Sequence, residues 1–160
     1  MHQRARDLIS ELRLEPHPEG GYFREIFRSS LKVKPLDKRS ARSALTTIYF
    51  LLLEGQHSSW HRVASDEAWH FYEGDPLVVY WIDAQNGVHE EVLASGSPNS
   101  PRVCVVPAGC WQAAKPRGEY SLVGCTVGPG FDFQDFEMIS PGSEALSKIT
   151  ALNPAFREFV

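Results

Sequence analysis

His61, Glu67 and Gln112 are the residues of this sequence whose types and spacing could do chemistry. Successive side chains on a strand point to opposite faces, so in the β-rich run Ser59–Val63 His61 and Val63 share a face. After the Ala64-Ser65-Asp66 turn, Glu67, Trp69 and Phe71 share one face of the next run. If those faces turn to a common interior, an imidazole and a carboxylate converge, with the Gln112 amide beside them. An imidazole can take a proton near neutral pH. An inward carboxylate is costly unless paired, protonated or bound. An amide N–H can donate to a developing oxyanion. The pattern predicts His61 as general base, Glu67 as its orienting or proton-sharing partner, Gln112 as a substrate-binding donor, and Trp69 against the ligand. The same three residues are the metal candidates. One imidazole, one carboxylate and one amide make a thin donor set, because an amide oxygen is a poor transition-metal ligand. The expectation is at most a weak divalent-metal site and no required cofactor.

The elements that must position these groups are short. Leu8, Ile9 and Leu12 fall at helical spacing within Ala5–Leu14, and Pro16 and Pro18 stop that helix. From Gly20 onward the period changes to two, predicting strands at Tyr22–Arg28, Leu45–Leu53, Ser59–Val63, Ala68–Glu73, Leu77–Ile82, Val88–Leu93, Arg102–Val106 and Ser121–Val127. Between them stand Glu54-Gly55, Gly74-Asp75-Pro76, Ser97-Pro98, Pro107-Ala108-Gly109 and Pro116-Arg117-Gly118, and Asp83–Gly87 is a hairpin signal. The whole reads as one all-β domain over residues 1–160, a sandwich or barrel with a short N-terminal helix. Leu31–Ser43 reads as a mobile polar loop. The Leu45–Leu53 run is apolar along both faces, which predicts that it, or Tyr22–Arg28, lies at the two-fold interface of a homodimer. His70 falls off the Glu67 face; His17, His57 and His89 read as solvated. Trp60, Trp81 and Trp111, with Tyr22, Phe23, Phe71 and Phe131, could stack on a ligand but by default fill the core; Trp69 is the exception because it shares the Glu67 face, and Tyr22 is counted with the substrate-binding residues. Asp132 and Asp135 read as a polar edge segment.

The bulk properties exclude several classes of partner. The chain has 160 residues, is 42% hydrophobic and 22% charged, and carries a net charge of −4. An acidic protein, with pI about 5.8, lacks the basic face that nucleic acid or an anionic membrane requires. No run reaches the roughly 18–20 apolar residues of a membrane span. Met1–Asp7 is charged, without the apolar stretch of a signal peptide, and the expected location is cytoplasmic. Cys104, Cys110 and Cys125, an odd number with no CxxC spacing, read as buried free thiols.

The run Gly55, His61, Val63, Glu67, Gly74 resembles the first cupin motif, with Val63 where the second histidine stands. Pro107–Gln112 resembles the second motif, with Gln112 in place of its histidine. Longer phrases, Leu14–Glu25, Trp60–Phe71, Val106–Ala114, Gly118–Val127 and Pro129–Phe133, resemble the fifth cupin family over residues 14–136. That resemblance implies a cupin-type jelly-roll barrel, a homodimer and a small-molecule ligand, and no particular reaction. Gly21–Phe27 is also similar to the early strand of nucleotide-sugar 3,5-epimerases, which are metal-free cupins. The likeness implies that Arg24 and Glu25 hold the ligand while His61 takes a proton; their tyrosine acid has no match here. The favoured expectation is an isomerase or epimerase acting on a polar, carbohydrate-like ligand. The rivals are a metal-dependent cupin enzyme using His61, Glu67, Gln112 and a recruited fourth ligand such as His70, and a non-catalytic binding or sensor module.

Overall fold

Period-two alternation decides which sides of two antiparallel sheets meet. The computed structural model describes residues 1–96 and 100–160, so the Ser97-Pro98 turn lies outside the described residues. The strands are β1 (Glu15–Pro16), β2 (Tyr22–Arg28), β3 (Lys32–Val33), β4 (Arg42–Ser43), β5 (Thr46–Leu53), β6 (Ser58–Val63) and β7 (Asp66–Gly74), followed by β8 (Leu77–Ile82), β9 (Val88–Leu93), β10 (Val103–Val106), β11 (Trp111–Pro116), β12 (Tyr120–Gly128) and β13 (Phe136–Met138). One sheet runs β1-β2-β5-β12-β7-β10, the other β13-β6-β11-β8-β9, and β3–β4 is a separate hairpin. Phe50, Leu52, Trp69, Phe71 and Val123 of the first sheet meet Leu77, Val79 and Ala114 of the second in one core. This is a jelly-roll barrel, as the strand spacing predicts. Within it the β8–β9 hairpin turns at Asp83–Gly87, where Asn86 is left-handed (φ 63°) and the Asp83 carboxylate accepts the Gln85 and Gly87 N–H groups at 2.9 and 2.8 Å.

Several expectations change. β5 is not an edge: it lies between β2 and β12. Its second apolar face is covered by α1 (Gln3–Glu11), whose Ala5 and Leu8 pack with Leu14 on Leu51, Leu53 and Leu122. The apolarity of both faces is thereby accounted for within one chain. There is a second helix, α2 (Glu144–Leu152), capped by the Ser143 hydroxyl accepting the Leu146 N–H at 3.2 Å. With the 3₁₀ segment Pro154–Phe159 it lays Leu146, Ile149, Phe156 and Phe159 on Trp60, Ile82 and Ala113, outside the second sheet. β11, which carries Gln112, is not among the expected strands because Trp111-Gln112-Ala113-Ala114-Lys115-Pro116 has no β-branched residue and runs straight into the Pro116-Arg117-Gly118 turn signal. The 31–43 segment is not a free loop but the β3–β4 hairpin, fastened by Arg39 and Arg42 to the buried Asp135 carboxylate at 3.2 and 2.8 Å. Among the described residues no helix is long and apolar enough to cross a membrane.

Candidate functional site

At one end the barrel encloses a cavity of about 280 Å³, lined by residues from both sheets and from the loops that close them. β6 contributes His61, in register with Gln112 of β11, and β7 contributes Glu67 from the opposite sheet. His61 and Glu67 are both buried, at 1% and 7% exposure. The inward alternation of β7 places Trp69 and Phe71 below Glu67 in the core, while His70 belongs to the other face.

A third acid enters from a loop. Between β1 and β2 the turn His17-Pro18-Glu19-Gly20-Gly21 closes with the His17 N–H on Gly21 O and the Gly20 N–H on His17 O, both at 3.0 Å. Gly20 (φ 111°) and Gly21 (φ 69°) are left-handed, and a Cβ on either would strike backbone, His57 O at 2.1 Å and Leu51 O at 2.6 Å. This glycine pair lets the turn press against the barrel and drive the Glu19 carboxyl inside, where the Ser58 hydroxyl donates to it at 2.9 Å. His61 Nδ1 donates to the Ser59 carbonyl at 2.8 Å, which fixes the ring and leaves Nε2 facing Glu19 Oε2 at 3.4 Å. Burial pushes the Glu19 carboxyl up and the His61 imidazole down from their ordinary values. Burial thus favours the neutral form of both groups, with Oε2 and Nε2 near enough to pass a proton from carboxyl to ring. His17 is similarly lowered by burial, and its Nδ1 accepts the Glu19 backbone N–H at 3.3 Å.

Glu67 faces that pair from the other wall. Burial raises its pKa to about 7, opposed by the neighbouring His61 and by hydrogen bonds from Gln112 and the Cys125 thiol. The Gln112 amide N–H donates to Glu67 at 2.6 Å, and its carbonyl oxygen accepts the Trp69 indole N–H at 2.9 Å. Gln112 and Trp69 thus stand behind the cavity wall and hold Glu67, rather than touching a ligand as the sequence suggests. Cys104, Cys110 and Cys125 are free and buried, and burial holds the Cys125 thiol protonated.

The donors do not fit a divalent ion. Gln112 turns N–H groups, not its oxygen, toward the carboxylate, and Val63 offers no lone pair, so of the expected set only His61 Nε2 and Glu67 remain as donors. Among the described residues no three His, Cys, Asp or Glu side chains are placed to hold a metal. The predicted His61, Glu67 and Gln112 metal set therefore does not assemble.

β2 corrects the remaining expectations. Adjacent strand residues cannot both point inward, and here Phe23 and Glu25 line the cavity. Tyr22 instead packs with the α1 cluster, and Arg24 donates outward to Leu12 O at 3.1 Å. A bulge between Glu25 and Phe27 then restores Arg28 to the inner face, where it grips both Glu25 oxygens at 3.0 and 2.7 Å. His17, expected in solvent, lines the cavity with Glu19. His57 is half-buried beside Phe159, and His89 stacks on Trp81 with its Nε2 2.8 Å from Asp83. Glu19, His17 and Arg28 are the site residues that periodicity misses; the Gly20-Gly21 pair after an acid is the available signal for the first two. Phe131, Asp132, Phe133 and Phe136 complete the rim.

A jelly roll of two antiparallel sheets closing on a ligand-sized cavity is the architecture that cupins share with other jelly rolls. Residues 6–139 match the family described as Cupin superfamily (DUF985), and the chain belongs to that family. It is similar to the solved structure of a protein from Shewanella oneidensis, 34% identical with a TM-score of 0.84, covering 99% of this chain and 98% of that one. A hypothetical protein from Leishmania major is 33% identical with a TM-score of 0.79, covering 94% and 93%. Oxalate decarboxylase from Bacillus subtilis shares the fold alone, at 16% identity and TM-score 0.59, over 86% of this chain and 33% of that one. No curated protein matches the sequence.

Proposed function

We propose that the chain is a small-molecule enzyme of the proton-transfer type, an isomerase or epimerase acting on a polar, carbohydrate-like ligand held in the barrel cavity. The observation that carries this is the placing of two proton-handling groups from opposite sheets on one enclosed space: the Glu19–His61 pair, with Nε2 and Oε2 3.4 Å apart, and Glu67, raised to about 7. A group that titrates near the working pH can both take and return a proton. In an isomerisation one wall removes the proton from a carbon next to a carbonyl and the other donates to the oxygen or to the opposite face of that carbon. Glu67 is the base in this assignment. The acid is the protonated Glu19 carboxyl acting through His61 Nε2, which in the neutral ring with its hydrogen on Nδ1 carries no proton of its own to give.

The experiment is incubation with a panel of keto- and aldo-sugars in deuterated water, with loss of carbon-bound protons followed by NMR. At least one substrate is expected to exchange, and Glu67→Gln and His61→Asn are each expected to slow exchange by about 10²–10⁴-fold while remaining folded. Exchange in the folded variants at the parent's rate, or no exchange with any sugar, would overturn the assignment.

A further inference from the structure

The cavity has a charge, and the charge has a direction. Glu19, Glu25, Glu67 and Asp132 line it against one guanidinium, Arg28. Each Arg28 nitrogen already meets a protein oxygen: Nε and Nη2 hold Glu25 at 3.0 and 2.7 Å, and Nη1 holds the Phe131 carbonyl at 3.0 Å. Asp132 adds its field to the same guanidinium. Glu25, Asp132 and Arg28 together leave the rim negative, and among the described residues no lysine lines the cavity. A phosphate or carboxylate on a ligand would meet charge of its own sign.

The apolar walls agree with that polarity. Phe23, Phe131, Phe133 and Phe136 line the cavity, with Phe131 set edge-to-face against Phe133 and Phe136 at 5.1 and 5.6 Å. Aromatic faces attract cations, and more strongly where water is excluded. A separate feature marks the base. The His17 side chain is more than nine-tenths buried, at 7% exposure. Its Nδ1 accepts the Glu19 N–H, so the neutral ring carries its hydrogen on Nε2. No described group pairs with that Nε2, yet no described buried side-chain nitrogen or oxygen is left without a partner. The Nε2–H is therefore open to the cavity, a donor facing space that only a ligand oxygen or water can fill.

We propose that the cavity binds a small amino alcohol or amino sugar, its protonated amine seated against Asp132, Glu25 and the phenyl faces at the rim and a hydroxyl or carbonyl oxygen accepting from His17 at the base. This names the ligand class of the proton-transfer site and rests on that assignment for the chemistry after binding. The amine keeps its charge at the mouth, and the carbon skeleton between amine and oxygen lies along Glu67 and His61.

Isothermal titration with one ring carrying three different groups tests the proposal: trans-2-aminocyclohexanol, cyclohexane-1,2-diol and 2-hydroxycyclohexanecarboxylate, with glucosamine and glucose 6-phosphate as a sugar pair. The amines are expected to bind about ten-fold or more tighter than the diol, a cation–π and charge increment of roughly 1.4 kcal/mol, and the anions are expected not to bind. Asp132→Asn keeps the side-chain oxygen that accepts the Gln134 N–H at 2.9 Å, so the rim is retained while the charge is removed. That variant is expected to lose most of the amine preference with diol affinity unchanged. Equal or tighter binding of diol or anion, no amine binding at millimolar concentration, or an undiminished preference in Asp132→Asn would overturn the ligand class. Deuterium exchange that still depends on Glu67 would then leave the proton-transfer assignment standing. An amine preference without exchange on any substrate would leave the ligand class and remove the catalysis.

Discussion

Glu67 does not stand alone: its ionisation is set by an amide whose own orientation is set by an indole. The Trp69 N–H claims the Gln112 oxygen, so that amide can only present N–H groups to Glu67, and a donor favours the ionised carboxylate. Trp69→Phe frees the amide to turn its oxygen toward Glu67, which favours the protonated acid. The Glu67 midpoint, read by carbon-13 NMR of the side-chain carboxyl, is expected to rise above about 7 in that variant; an unmoved midpoint would show that the indole does not orient the amide. His61 and Glu67 were legible in the sequence because a strict period of two assigns their faces. Glu19 and His17 were not, because a turn that folds back into a barrel has no period, and Arg28 was hidden by a one-residue bulge that reverses the parity of its strand.

At the scale of elements, the sheets depend on coverings that do not touch the cavity. α1 closes the outer face of β5, and Leu8 lies at the centre of that contact. Leu8→Ala is expected to lower stability by about 2–4 kcal/mol through a lost side chain and a residual void, measured as a lower urea midpoint with ligand affinity retained. The β3–β4 hairpin depends on one carboxylate. Asp135, held below the usual carboxylate range first by its Arg42 hydrogen bonds, receives Arg42 through Nε and Nη2 at 2.8 and 2.9 Å and Arg39 at 3.2 Å. Asp135→Asn leaves two guanidinium groups partly buried without their charge partner. It is expected to cost about 3 kcal/mol and to expose residues 32–43 to trypsin, so an unchanged digestion rate would show that the clasp does not hold the hairpin. The strands were largely readable because alternation is strong. The hairpin was not, since its lysines and arginines look like solvated loop when their partner lies about ninety residues away.

For the whole molecule the buried acids and imidazoles make stability depend on pH in two opposed ways. Glu67 is raised from 4.5 to about 7, so the folded state holds a proton that the unfolded state releases. Its contribution is full below about 4.5 and is lost as pH rises through about 7. His17 and His61, lowered from 6.5, act in the other sense: their contribution is present above 6.5 and is lost as pH falls. Comparison of parent and Glu67→Gln isolates the acid. The melting temperature of the variant is expected to gain on the parent between pH 5 and pH 8, by an amount corresponding to about 3 kcal/mol at most. Parallel curves would show that Glu67 titrates alike in both states. Fold and acid pair are this closely linked because the closing strands of the barrel deliver His61 and Glu67 from opposite sheets.

The bond from Trp69 to Gln112 also makes the cavity visible to light. Of the four tryptophans, Trp60 and Trp69 are fully buried while Trp81 and Trp111 are partly exposed, so the two populations emit at different wavelengths. Trp60 sits across the second sheet among Phe156 and Phe159, remote in environment from Glu67. With Trp60 replaced by phenylalanine, the short-wavelength emission belongs to one indole, hydrogen-bonded through a single amide to the titrating carboxylate. Its intensity should then follow Glu67 through its midpoint, and any occupant that shifts that midpoint could be titrated by fluorescence without a label.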